Sequence, residues 1–141
     1  MTPLYLSIPV LAWLSVCAWY DWKSRRVSNW LTLPVLGVAI VVRAAGFGIG
    51  DWRTVLMFAA LVLLGWAIHL VGGADAKASL AMALLDPRLA AWAWAGGVFW
   101  FQFHRISRYK RGRNFIYPGF IGFVIGVFAS VFVSLFIQEA G

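Results

Sequence analysis

Residues 78–104 read Ala78-Ser79-Leu80-Ala81-Met82-Ala83-Leu84-Leu85, then Asp86-Pro87-Arg88, then Leu89-Ala90-Ala91-Trp92-Ala93-Trp94-Ala95-Gly96-Gly97-Val98-Phe99-Trp100-Phe101-Gln102-Phe103-His104. The number of helices in the chain turns on this stretch. Proline disfavours the helical conformation for the residue before it, so an element ends or bends at Asp86. Either two short apolar helices meet at Asp86-Pro87-Arg88, or one long helix kinks there. Outward from this stretch, further charge-free runs occupy 1–20, 27–42, 54–74 and 114–138. Each is the length of a membrane crossing once a few flanking residues are added, because about 20 residues rising ~1.5 Å each span the hydrocarbon layer.

Composition supports that reading. Of 141 residues, 62% are hydrophobic and only 12% charged, and the mean hydropathy is +0.82. An ordinary soluble domain is excluded by such values, which predict an all-α, polytopic membrane protein. Little is left once the apolar runs are counted, so residues 1–141 are expected to form a single helical domain without a soluble module. The net charge of +7 comes from basic residues clustered beside apolar runs, as membrane anchors are, and nucleic acid is set aside as a partner. Cys17 is the only cysteine, which rules out an internal disulfide and leaves core packing as its expected role. The uncharged first twenty residues lack the basic start of an export signal, so residues 4–20 are read as a retained first transmembrane helix.

Loop charge chooses between the two readings of 78–104. With six crossings one side of the membrane carries Lys23, Arg25, Arg26, Lys77, Arg105, Arg108, Lys110, Arg111 and Arg113, and the other only Arg43, Arg53 and Arg88. That is a clear positive-inside bias, whereas five crossings would put the basic cluster at 105–113 outside. The prediction is six transmembrane helices with both termini outside the cytoplasm. Asp21 then ends helix 1 and Asp75 begins helix 4 at the same cytoplasmic face. The remaining acids, Asp51, Asp86 and Glu139, fall in outer loops or the tail and read as solvated.

Carboxylates beside apolar runs are functional candidates, since ionisable groups at membrane depth cost roughly 2.5–3.5 kcal/mol on insertion scales. Two held a few ångströms apart cannot both ionise easily and share a proton. One can then activate a water while the other polarises or protonates a peptide carbonyl, giving amide hydrolysis without a metal or a nucleophilic side chain. A helix N-terminus at Asp75, with Lys23, Arg25 and Lys77 nearby in sequence, biases such a site toward negative charge. Gly72 and Gly73 allow close approach of a substrate strand, or simply let the loop turn.

At these residues the chain resembles the type IV prepilin peptidases and their preflagellin peptidase relatives, six-helix membrane aspartyl proteases of the GxGD type. The stretch from Asp21 to Asn29, Asp21-Trp22-Lys23-Ser24-Arg25-Arg26-Val27-Ser28-Asn29, is similar to the family's first motif. Gly72-Gly73-Ala74-Asp75-Ala76-Lys77 is similar to its GxGD motif, with a lysine two positions on. Arg113-Asn114-Phe115-Ile116-Tyr117-Pro118-Gly119-Phe120-Ile121-Gly122 is similar to the proline and glycine pattern that opens the last helix. The resemblance implies that Asp21 and Asp75 are catalytic, that Lys23, Arg25, Asn29, Gly72, Gly73, Ala74, Lys77 and Pro118 support them, and that neither cofactor nor metal is used. Ala74 departs from the motif's glycine, and a position needing positive φ would cost alanine about 1 kcal/mol or more.

The small size and the absence of a cysteine cluster resemble the compact members that process Flp-type pilins or archaellin-type precursors, with peptidase activity only, in the inner (plasma) membrane. The implied substrate is itself a membrane protein, cut at the cytoplasmic face between a basic leader and its hydrophobic helix. Gly122 and Gly126 form a small-xxx-small pair whose expected use is packing within the protein, the alternative being a seat for the substrate helix. His69, expected within helix 3, and His104, in the basic loop, are too isolated for a metal site. Trp19, Trp22 and Trp30 read as anchors at the inner boundary and Trp52 at the outer, and the basic loop as a contact for anionic lipid headgroups. Two other functions use the same residues: a small proton-coupled transporter with the acids as a relay, and a noncatalytic pilus-assembly membrane protein.

Overall fold

The computed structural model describes residues 4–24, 27–109 and 119–139, and within them every element is helical. The order is α1 (Leu4–Ser24), α2 (Asn29–Ala44), α3 (Trp52–Ala67), α4 (Gly73–Leu85), α5 (Pro87–Tyr109) and α6 (Gly119–Glu139). Residues 78–104 thus contain two helices. Asp86 is extended, at φ −157° and ψ 115°, as the residue before proline should be. Pro87 occupies the first helical position of α5, where its missing N–H costs nothing. Asp86 caps that helix: its Oδ1 accepts from the Arg88 N–H at 2.9 Å, and its carbonyl accepts from Leu89 at 3.0 Å.

Among the described residues, no helix is long and apolar enough to cross a membrane. α2 and α3 have 16 residues each and α4 has 13, reaching about 24 and 20 Å at the α-helical rise, against a hydrocarbon layer of about 30 Å. The apolar run at 54–74 outlasts its helix because α3 closes early. His69 stands past the end of α3 at φ 59°, with its N–H donating to the Trp66 carbonyl and that of Leu70 to the Gly65 carbonyl at 2.8 Å. This is a Schellman closure with histidine in the left-handed position. His69 is therefore a cap residue and does not lie within the helix. α5 in turn runs through His104, Arg105 and Arg108 to Tyr109, so the start of the expected basic loop is helical; residues 110–118 lie outside the described residues.

The chain sorts into two compact units. One is Val27–Ala91, in which α4 packs on both α2 and α3. Its interior holds Ala76, Ala78, Ser79, Ala81, Met82 and Ala83 of α4, Leu89 of α5, Thr32 and Ala39 of α2 and Val55 and Val62 of α3, while Leu56, Met57, Leu61, Leu64 and Trp66 of α3 are exposed. Two charged residues are buried here. Arg43, in the last turn of α2, donates from Nη1 to the Ile49 carbonyl and from Nη2 to the Gly50 carbonyl, both at 2.8 Å. Its guanidinium lies 4.7 Å from the Trp52 ring centre. Gly48 makes room for it: a Cβ at that position would overlap the Arg43 side chain and lie 2.8 Å from the Leu84 carbonyl oxygen. The same loop returns to α4 through the Ile49 N–H on the Leu85 carbonyl, at 2.8 Å. Asp86 has no exposed surface, so the expectation of a solvated loop residue is corrected: a cap whose helix start is packed over cannot face water. Asp51 does remain exposed and caps α3, accepting from the Thr54 N–H and hydroxyl. These bonds hold its carboxyl below the usual range.

The other unit joins α1, α6 and α5 from Trp92 onward. α1 lies on α6, with Ser7, Leu14 and Cys17 of α1 and Phe120, Val127, Ser130 and Ser134 of α6 buried. α5 meets α6 backbone to backbone. A Cβ at Gly126 would overlap the Trp92 carbonyl, and one at Gly96 would overlap Gly122 and Gly126. The Gly122 and Gly126 pair is consumed by this contact, in line with packing inside the protein and not a seat for a substrate helix.

Candidate active site

Asp75 is the third residue of α4. Gly72 is the N-cap, at φ −66° and ψ 151°, and supplies no capping side chain, so the first turn is left with the positive end of its dipole beside Asp75. Gly72 does not need glycine for its backbone angles. It needs it for space, because a Cβ there would lie 3.1 Å from Asp75 Oδ2. Gly73 is different: a Cβ would meet only Trp66 Nε1, at an ordinary 3.8 Å. Ala74 sits inside the helix, and His69 is the one non-glycine residue with positive φ among those described. The methyl of Ala74 therefore carries no backbone strain, which removes the concern raised by its departure from the motif.

Behind Asp75, the buried Ser79 donates its hydroxyl to the Asp75 carbonyl at 2.7 Å. To the side, Lys77 Nζ donates to Asn29 Oδ1 at 2.6 Å, across 48 positions of sequence. Asn29 opens α2, just after the N-cap Ser28, whose hydroxyl accepts from the Trp30 N–H at 3.3 Å. An open apolar cavity of about 250 Å³ is lined by Asn29, Trp30, Leu33 and Pro34.

Asp21 stands in the unit of α1 and α6, three residues before the end of its own helix. That end is the negative pole of α1 and disfavours a carboxylate there. Compensation comes from α6, whose Phe120 N–H donates to Asp21 Oδ2 at 3.4 Å. Phe120 is almost wholly buried and packs on Phe123 with ring centres 5.7 Å apart, which fixes the start of α6. Lys23 is exposed and lines an open cavity of about 440 Å³ with Trp19 and Trp22, a face set by helical spacing on which Asp21 does not lie. Arg25 and Pro118 lie outside the described residues.

Two contributors escaped the sequence reading. Phe120 acts through its backbone, a donor every residue but proline owns, so no side-chain pattern marks it. Ser79 did leave a trace, a hydroxyl four residues after an aspartate in an otherwise alanine-rich helix.

Carboxylates paired with helix N-termini in an all-helical, strongly apolar chain describe a class of helical protein with acidic chemistry. Within it, the type IV leader peptidase family matches residues 8–138, and the chain belongs to that family. The resemblance read from the three motifs is thereby borne out, and membership makes the protein a peptidase of the leader-processing kind, from a family that is membrane-associated. Comparison with curated proteins and with solved structures gave no match.

Proposed function

We propose that the protein is a membrane aspartyl endopeptidase that removes the leader of Flp-type, prepilin-like precursors at the cytoplasmic face, with Asp21 and Asp75 as the acid and base. The observation that carries the reading is that each aspartate is served by a helix N-terminus, Asp75 in the first turn of α4 and Asp21 at the Phe120 N–H of α6. Such a setting favours the ionised form of a carboxylate. In the proposed step the ionised aspartate takes a proton from water, whose oxygen bonds to the scissile carbonyl carbon. The protonated aspartate gives its proton to the carbonyl oxygen. Collapse of the tetrahedral diol then breaks the C–N bond, the amine leaving with the proton first taken from water, and the dyad returns to one shared proton.

Membrane residence is part of the proposal. It is supported by mean hydropathy, by loop charge, and by the many large apolar side chains left exposed, among them Leu56, Leu61, Phe99, Phe132 and Trp66, while alanines of α4 are buried. In water such a surface would be costly; against lipid tails it is not, and small interior residues let helices approach closely. Helices of 16 residues need flanking segments to complete a crossing, which Trp19, Trp22, Trp30 and Trp52, all exposed, would anchor at the interfaces.

Co-expression of the chain with a tagged Flp-type precursor tests the reading. Wild type should shorten the precursor, and Asp21→Asn and Asp75→Asn should leave it full length while still inserting and folding. Leader removal by either folded variant would sink the two-aspartate mechanism.

A further inference from the structure

An ammonium that bonds at the start of one helix from the second turn of another is electrostatically misplaced. Lys77 lies within five residues of the α4 N-terminus and its Nζ is held at Asn29, the first residue of α2. Both are positive helix ends, where anions are favoured and cations are not. Lys77 therefore gains nothing from either dipole, and an exposed lysine at this point would ordinarily turn into solvent. It is instead fixed by a 2.6 Å charge-assisted bond between residues 48 positions apart, of the short kind that carries geometry as well as energy.

The consequence concerns Asp75, two residues before Lys77. Its turn is held from behind by Ser79 on its carbonyl and neighboured by Gly72, where a Cβ would lie 3.1 Å from Oδ2. Neither of these two contacts reaches α2. We infer that the Lys77–Asn29 bond is a positioning clamp, which sets the first turn of α4 against the start of α2 and so places the Asp75 carboxylate for attack. Lys77 and Asn29 are positioning residues here, acting through Asp75. The inference rests on the peptidase reading and adds to it a pair of residues with a defined division of labour, donor on α4 and acceptor on α2.

The test uses the full chain in lipid nanodiscs with a purified Flp-type precursor, reading kcat and KM separately. Lys77→Met and Asn29→Leu should each lower kcat at least about tenfold with KM within about twofold, since a displacement on the order of 1 Å can cost a hundredfold in rate. The double variant should be no slower than the slower single, because both remove one bond. Lys77→Arg, which keeps the donor, and Asn29→Asp, which keeps the acceptor, should return kcat to within about threefold of wild type. If Lys77→Met fails to fold by circular dichroism, Lys77→Gln takes its place. The clamp is overturned by single variants that keep wild-type kcat, by losses that multiply in the double variant, or by conservative variants as slow as the disruptive ones. A wild-type chain that cleaves no precursor overturns the peptidase reading itself, a result distinct from an active wild type with indifferent variants.

Discussion

Asp75 and Asp86 belong to the same unit, stand 11 positions apart, and both serve a helix start. Asp86 is the N-cap of α5, fully buried, with Oδ1 on the Arg88 N–H and Oδ2 without a hydrogen-bond partner among the described residues. Asp75 is third in α4, half-buried, and a Cβ on the N-cap Gly72 would lie 3.1 Å from its Oδ2. One carboxylate is closed off from solvent and the other keeps part of its surface exposed. Aspartate at a helix start is thus not by itself a signal for catalysis; what separates the two is burial, which a folded-back loop imposes on Asp86.

The largest difference should appear on removing the two carboxylates. Asp75→Asn should cut leader cleavage by at least about 10³-fold, the scale of a lost acid or base, while leaving the melting temperature near wild type. Asp86→Ala should do the opposite, keeping activity and losing about 1 kcal/mol of stability with the cap. Cleavage assays and thermal melts on both variants would break the comparison if Asp86→Ala were the inactive one.

Next in size is Arg43→Met. It strips the hydrogen bonds from the Ile49 and Gly50 carbonyls and should cost about 3 kcal/mol of unfolding free energy, as expected for two charged hydrogen bonds to partly buried groups. Denaturant titration in detergent reads it, and a loss under about 1 kcal/mol would mean the buried arginine is ornamental to the fold.

The paired glycines give a finer contrast. Gly72→Ala pushes a Cβ toward Asp75 Oδ2 and should slow cleavage about tenfold, whereas Gly73→Ala has ordinary room and should stay within about twofold. Equal rates for the two would show that the space at Gly72 does not matter to Asp75.

The smallest effect belongs to the exposed cap Asp51. Its folded pKa is depressed by Thr54, so its contribution is present above the unfolded value and fades as pH falls through the lower folded value. The melting-temperature gap between wild type and Asp51→Asn should therefore be open at pH 7 and close below the normal carboxylate range. A gap that persists in strong acid would assign the effect to shape and not to charge.

Much of this was legible in the residues. Asp86-Pro87 marked the break between α4 and α5 because proline acts on its immediate neighbour, and Asp75 was placed at a helix start for similarly local reasons. Asp86 was misjudged as solvated, and the burial of Arg43 went unforeseen, because loop 45–50 folds back onto the end of α4, a contact between distant segments that no local pattern records. Ala74 was weighed for a strain that the helical backbone of α4 does not impose. His69 was assigned to a helix because an apolar run continues past it, yet hydropathy does not report where a Schellman turn closes.

The sequence by itself determined the helices, their order, the family and the acidic candidates, because these follow from proline, hydrophobic run length and motif spacing along the chain. Only the tertiary structure decided that Asp86 is buried, that Phe120 lends its N–H to Asp21, and that Lys77 reaches Asn29. Burial and hydrogen bonding depend on what the chain brings back from far away, and that information is carried by packing and not by any one stretch of residues.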